Sequence, residues 1–380
     1  MLPPLIERLQ WLMVPNNSMH GILKFLRWCV RSGLPLAGLA LHFVICLAYA
    51  RRWDRAAALT VFPFWAWGIL GFLSAFVSWV FFRSRFAGIM SLIWLATIFI
   101  GSDETRPLLR INAEKPLVGL PPDYQGKRLL RIITLNCKQM NPISAEEIIP
   151  WKPDIVLLQE APYPQYLAAL SNKLYPDGKP QEHFVGGYDC AVLTRGKITR
   201  WMSTVGRNNF PNVLRVLPCN IELDDRLMYV VCVHLQGAVT DVGLHRSSTW
   251  ELHYRNRQSR RAEMIDVRKY LDALRFMPSN LVDGNIIPAT PEMIDAPIVI
   301  GGDFNAPAGD AVFRELEPDF TNAFDAVGSG WGNTFPNKSP LLRIDHIYTN
   351  PQLTPIRART VESVNSDHRM IVADFILAGE

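Results

Sequence analysis

The chain is 380 residues long, 49% hydrophobic and 19% charged, with a formal net charge of +4; that length accommodates two domains. Residues 1–101 hold nine Lys/Arg against only Glu7 and Asp54, whereas the remainder holds 30 basic and 33 acidic residues. The long C-terminal part is therefore mildly acidic, which speaks against a general duplex-DNA binder, and six cysteines without CxxC or Cys/His spacing exclude a zinc framework.

Three uncharged apolar runs come first. Residues 33–50 form the first. The second, 56–82, is 27 residues, and as a helix it would reach roughly 40 Å, enough to cross a ~30 Å hydrocarbon core once with tilt. The third, 86–101, is shorter. Trp65, Trp67, Trp79 and Trp94 suit an interfacial or lipid-facing population. A cleaved signal peptide carries one shorter apolar core rather than three. Residues 1–101 are therefore expected to be a membrane region with about three transmembrane helices, at about 33–50, 56–82 and 86–101. Lys/Arg near the spans balance six against six between the two faces, so the positive-inside rule does not set the orientation. Residues 102–128 hold four prolines and no sustained period, which reads as a linker.

From residue 129 to 380, strand and helix signals alternate. Strand runs fall at 129–137, 154–161, 190–195, 212–223, 226–235, 298–304, 341–348 and 370–377. Ser144, with Glu147 three residues on, predicts a capped helix start. Further helices are predicted over 164–172, 249–274 and 310–316. The alternation predicts mixed sheets covered by helices.

Strand after strand meets a polar residue that packing does not require: Asn136 after LLRIITL, Glu160 after DIVLLQ, His234 after MYVVCV, Asp303 and Asn305 in IVIGGDFN, Asp345 and His346 in LLRIDH, and Ser366-Asp367-His368 before the last strand. One such end is an ordinary solvated terminus. Six of them, all offering Asn, Asp, Glu or His, predict convergence on one site. Carboxylates and amides are hard donors suited to Mg²⁺ or Mn²⁺. A phosphoryl centre needs such a cation, a base for water and donors for the non-bridging oxygens. No nucleophile elbow, P-loop or GxGxxG is present, which argues against acyl transfer, NTPase and dehydrogenase chemistry.

The ordered set TLN, LLQE, AVLTR, VHL, GGDFN, RIDHIY and SDH, over about residues 129–378, resembles the endonuclease/exonuclease/phosphatase superfamily. That resemblance implies a four-layer α/β sandwich of two packed mixed sheets flanked by helices, and a divalent-metal-dependent hydrolase acting on phosphoric ester bonds. It implies metal ligation by Glu160 with Asn136, and by Asp367 completing the shell. It implies that Asp303 orients or deprotonates the attacking water and Asn305 contacts the phosphate or fixes that water. His234 would donate to phosphoryl oxygens, and His368, oriented by Asp345, would act as base or transition-state donor. His346 should point to the opposite strand face and is expected to be structural. Tyr188 and Asp189 precede a strand and are candidates to line the pocket. Arg255, Gln258 and Arg261 echo an R-x-x-Q helix pattern of the family, which puts Arg255 and Arg261 among candidate substrate contacts.

Family membership implies the reaction and leaves the substrate open. The first expectation is a membrane-anchored phosphoesterase acting on a phosphodiester, phosphomonoester or pyrophosphate of a lipid or lipid-linked substrate, since tethering raises effective concentration at the bilayer. The alternative is a surface-tethered DNA or RNA nuclease that uses the basic run RNRQSRR, residues 255–261, to grip phosphates. A third reading, from another class, is a catalytically inactive membrane binding module. In layout the chain resembles bacterial glycopeptide-resistance-type proteins, which implies an integral membrane protein with an extracytoplasmic catalytic domain.

Overall fold

The computed structural model describes residues 17–111, 124, 126–187, 189–201, 215–237, 241–276, 281–282, 285–286 and 295–378. They divide into two compact units: the chain up to Arg51 together with Phe64–Ser102, and Arg52–Pro63 together with Asp103 onward.

The first unit is built from helices Asn17–Arg51, Phe64–Phe82 and Arg85–Gly101. Two stretches, Arg31–Arg51 and Phe64–Phe81, are long and apolar enough to cross a membrane; Arg85–Gly101 is shorter. Large side chains on all three face outward, with Phe43, Phe81, Leu92 and Ile100 between 65 and 86% exposed, an apolar surface that a water-soluble core helix would bury. The contact between helices is made by small residues. The Gly71 backbone lies against the buried Trp94 ring so closely that a Cβ there would come within 2.1 Å of it.

The expected span 56–82 is corrected. Its helix starts at Phe64, and residues 54–60 form a 3-10 turn and the short helix Ala57–Thr60, which belong to the second unit. Pro63 explains the break, because it has no N–H to donate and disfavours helical backbone at the residue before it. The expected linker is also partly corrected. Thr105–Leu109 is helical, Pro107 O accepts the Gly330 amide, and the Arg110 guanidinium donates to the Asp325 carbonyl at 2.9 Å. Residues 112–123 and 125 of that stretch lie outside the described residues.

In the second unit the strands are β1 Leu129–Asn136, β2 Ile155–Gln159, β3 Phe184–Gly186, β4 Ala191–Thr194, β5 Lys197–Trp201, β6 Val216–Leu223, β7 Arg226–His234, the two-residue pair β8 Leu281–Val282 and β9 Asn285–Ile286, β10 Ile298–Asp303, β11 Thr321–Asn322, β12 Asp345–Thr349, β13 Leu353–Val361 and β14 Met370–Leu377. They form two six-stranded mixed sheets, β13-β14-β1-β2-β4-β3 and β11-β12-β10-β7-β6-β5. Each has one parallel pair at its centre, β1 with β2 and β7 with β10. Period-two alternation sorts the side chains into layers. Ile132, Leu157, Val230, Val299 and Phe375 meet between the sheets. On one outer face Ile300 and Val231 pack against Met264, Val267 and Leu271 of helix Ser247–Phe276. On the other, Ile133 and Leu158 pack against Leu167 and Leu170 of helix Pro164–Leu174. The result is the expected four-layer sandwich.

Two local expectations change. The helix near 144 is Pro142–Glu146, capped by the Asn141 side chain rather than by Ser144; Glu147 instead receives the Val364 and Asn365 amides. The strand expected over 341–348 begins only at Asp345. His346 is buried on the outer face among Phe304, Phe313 and Tyr348. Its Nε2 donates to the Ala306 carbonyl and its Nδ1 accepts from Asn322 Nδ2, a pairing that requires the neutral ring. Burial and the nearby Arg343 charge lower its pKa to about 4.

Helix Ser247–Phe276 also holds segment 52–63. Arg257 and Asp310 are each 1% exposed and meet at 2.9 Å, off the line of a hydrogen bond. The same guanidinium donates to the Trp53 carbonyl and the Thr60 hydroxyl, and Arg261 pairs with Asp54 at 2.8 Å.

Removing one partner of a buried ion pair leaves the other charge uncompensated. Arg257→Met is expected to cost about 3–5 kcal/mol of unfolding free energy, and Arg255→Met, exposed on the same helix, less than about 0.5 kcal/mol. Equal costs in denaturant titration would contradict the burial of this pair. For His346 the folded pKa lies below the unfolded 6.5, so the unfolded chain binds more protons between the two values. Its contribution is full above pH 6.5 and is lost as pH falls toward about 4. His346→Gln is expected to flatten the stability slope across that window relative to the unsubstituted chain; an unchanged slope would refute the neutral buried ring.

Candidate active site

The inter-sheet core changes character toward one edge. Leu157, Val299 and Val230 are apolar; one step on come Gln159, Gly301 and Cys232; at the end stand Asn136, His234, Asp303 and Asp345, all on the same inner faces. Gly301 and Gly302 permit the close approach. A Cβ on Gly301 would come within 2.5 Å of Leu157 Cδ1 in the opposite sheet, and one on Gly302, at φ +144°, within 1.9 Å of the Val233 carbonyl. His234, Asp303 and Asp345 lie side by side in register across β7, β10 and β12.

The strand-end reading needs one correction of geometry. Asp345 opens β12 rather than closing a strand, while His368 precedes β14 as expected. β12 is antiparallel to β10 and β14 is antiparallel to β1, so their starts share an edge with the ends of β10 and β1.

Asp303 is the centre. Its Oδ1 accepts the Asn305 amide at 2.8 Å and its Oδ2 accepts from Asn136 Nδ2 at 3.2 Å. The same oxygen lies 3.8 Å from His234 Nε2 and 3.9 Å from His368 Nε2. Those distances are too long for hydrogen bonds, so among the described residues neither Nε2 has a hydrogen-bond partner. The Nδ1 atoms are both held, by Asp189 in His234 and by Asp345 at 2.9 Å in His368. Burial alone would lower both imidazole pKa values. The carboxylates outweigh it, raising His234 to about 9 through Asp189 and Asp303, and His368 to about 10 through Asp345 and Asp303. Burial, then the Asp345 charge, raises Asp303. The carboxylates thus favour the charged, donating form of both rings that flank Asp303.

Glu160 is half-buried and linked to Asp303 through Asn136, whose Nδ2 donates to both at 3.2 Å. Lys138, Gln139 and Met140 all have positive φ, and this turn aims the Lys138 amide at Asn136 Oδ1 and the Gln139 amide at Glu160 Oε2. Glu160 and Asn305, each just past its strand, are themselves left-handed at φ 44° and 49°. Such non-glycine backbone costs about 1 kcal/mol or more and persists where its surroundings fix it.

A divalent cation fits this donor set. Asp303, Asp345 and His368 offer ligand atoms within 4.8 Å of one another, and Asp345 Oδ1 is buried without a hydrogen-bond partner. His368 and Asp345 are nonetheless bonded to each other, so we read that trio as an oriented dyad beside a carboxylate, with Glu160 the more accessible oxygen donor. Asp367, expected to complete the shell, is half-buried and is not part of the trio; its charge only helps to raise His368. Asn305 does line the site, but its Nδ2 donates to the Leu235 carbonyl. Arg255 and Arg261 are not among the gathered residues: Arg255 pairs with Glu251 on an exposed face and Arg261 with Asp54. Tyr188 lies outside the described residues. Sequence reasoning missed the role of Asp189, which orients His234, and of Ser366, whose hydroxyl donates to the Asn136 carbonyl and accepts the His368 amide. The antiparallel pairing of β4 with β2, which carries the start of β4 to the end of β2, could have found Asp189.

Comparison with known proteins finds several solved structures similar to part of this chain. D. rerio TDP2, solved with single-strand DNA product, is 18% identical over 65% of this chain and 98% of its own, with a TM-score of 0.45. A Bacteroides thetaiotaomicron endonuclease/exonuclease/phosphatase family protein is 13% identical over 66% and 98%, with a TM-score of 0.46. Its counterpart from Beutenbergia cavernae is 18% identical over 67% and 72%, with a TM-score of 0.47. No curated protein matches the chain. The profile of the Endonuclease/Exonuclease/phosphatase family matches residues 118–368, and the chain belongs to that family.

Proposed function

We propose that this chain is a membrane-anchored, Mg²⁺-dependent phosphoesterase, with Mn²⁺ able to substitute, that hydrolyses a phosphodiester, phosphomonoester or pyrophosphate bond of a lipid or lipid-linked substrate. Family members are usually hydrolases of phosphoester bonds. The observation that carries the reading here is Asp303 Oδ2, buried between two imidazoles whose Nε2 atoms both face it without bonding it.

Water entering that gap is oriented by Asp303, which takes its proton as the water oxygen bonds phosphorus and the ester P–O bond breaks. Nε2–H of His234 and of His368 donate to the oxygens on which charge develops, and a positive ring is stronger there than a neutral one. Asp189 and Asp345 fix the rings by their Nδ1 bonds, and Asn136 fixes Asp303 relative to Glu160. Glu160, with Asn136 beside it, would hold the cation, which supplies Lewis-acid neutralisation of the phosphoryl group.

Two apolar helices supply the motive for a lipid substrate. The nuclease alternative loses its main support, because Arg257, Arg260 and Arg261 of the basic run serve contacts within the chain.

Full-length protein in detergent with Mg²⁺ is expected to hydrolyse bis-p-nitrophenyl phosphate. Asp303→Ala should lower kcat by at least about a hundredfold while circular dichroism stays unchanged. His234→Gln should lower it by about a hundredfold or more. Wild-type rates in Asp303→Ala, or full activity in excess EDTA, would refute the mechanism.

A further inference from the structure

A cavity of about 430 Å³ opens beside the candidate active site, with Asn305 and His368 in its wall. Its size falls in the roughly 300–1,000 Å³ range of small-molecule sites. Every lining residue belongs to the second unit. Its apolar lining comes from Val61, Phe62 and Pro63 and from Leu341, Leu342 and Ile344. Phe335 closes the end next to the catalytic groups, its ring 4.9 Å from the His368 ring. The polar groups on the rim are satisfied within the chain: Asp241 accepts from the Gly243 amide and the Thr249 hydroxyl, and His253 Nε2 donates to the Asp241 carbonyl. Among the described residues no lysine or arginine lines it, so the described lining offers no cation for a second phosphate.

We propose that this cavity binds the hydrocarbon chain attached to the scissile phosphate, so that the enzyme selects single-tailed alkyl or polyprenyl phosphoesters by the first carbons of the tail. Three observations converge. The cavity is continuous with Asn305 and His368, so a tail within it and a phosphorus at Asp303 belong to one molecule. Its lining rewards only apolar surface. And the wall at 61–63 comes from the segment joining two helices that are long and apolar enough to cross a membrane, held on the catalytic unit by the buried Arg257 and by the Arg261–Asp54 and Arg52–Glu317 pairs. An apolar loop between spans thereby becomes part of the substrate site. This inference rests on the phosphoesterase reading and sharpens it.

The test uses full-length protein in detergent with Mg²⁺ and a series of p-nitrophenyl alkyl phosphodiesters, from methyl to dodecyl, kept below their micellar concentrations. Thymidine 5′-(p-nitrophenyl phosphate) serves as the aromatic, nucleotide-like comparison. The expected result is a rise in kcat/KM of roughly fourfold per methylene over the first few carbons, then a plateau once the cavity is full. Phe62→Ser and Leu341→Asp, from the two apolar segments of the lining, should each reduce the dodecyl-to-methyl ratio at least tenfold. That ratio is read within each variant, so a general loss of folded protein, which lowers both rates alike, does not imitate the effect. A flat dependence on tail length, a ratio that survives both substitutions because it reflects partition into detergent, or a preference for the thymidine ester would overturn the inference while leaving the phosphoesterase reading intact. No Mg²⁺-dependent hydrolysis of any ester would overturn both.

Discussion

Two carboxylates, Asp303 and Asp345, are buried side by side on adjacent strands, and most of the site's polar structure answers the cost of that placement. Burial, and then the charge of Asp345 beside it, raises the Asp303 pKa. Compensation comes from His368, bonded to Asp345, from His234, held in turn by Asp189, and from the Asn136 and Asn305 groups that donate to Asp303. Asp345 Oδ1 still has no hydrogen-bond partner. A divalent cation held at Glu160, which Asn136 links to Asp303, would add positive charge next to this pair, and the family to which the chain belongs is divalent-metal dependent. The imidazole values given above belong to the cation-free cluster; a bound charge would pull them downward.

The same placement follows from the sheets. The inner faces carry the core as far as Leu157, Val299 and Val230, and Gly301 then lets β10 lie close against Leu157 of the opposite sheet, where any Cβ would collide. The polar layer beyond is carried on strands rather than on loops, apart from Glu160, Asp189, Asn305 and His368, which stand just outside them. Rigid elements therefore set the geometry that phosphoryl chemistry requires, and apolar segments only border it.

Much of this was legible in the chain. The polar residues at the ends of apolar runs predicted one converging inventory, and the resemblance of GGDFN, RIDHIY and SDH to a known family predicted both fold and reaction. What escaped had physical reasons. Strand polarity is invisible in a hydropathy pattern, so Asp345 was read as a strand end when antiparallel pairing brings its strand start to that edge, and Asp189 was a candidate to line the pocket without a partner in His234. The run from Arg255 to Arg261 looked like a phosphate grip because charge shows in sequence and burial does not; Arg257 is 1% exposed. Pro63 marked a boundary, but only the three-dimensional structure assigns residues 52–63 to the catalytic unit.

The central claim is that Glu160, with Asn136 beside it, holds a divalent cation next to the Asp303–His234–His368 cluster for phosphoryl chemistry. An anomalous-difference map from crystals grown with Mn²⁺ tests it most directly. The expected result is a single strong peak within about 2.1–2.2 Å of a Glu160 carboxylate oxygen, lost in Glu160→Gln. A map with no peak between the two sheets, or with the metal bound elsewhere while the protein still hydrolyses phosphoesters, would contradict it.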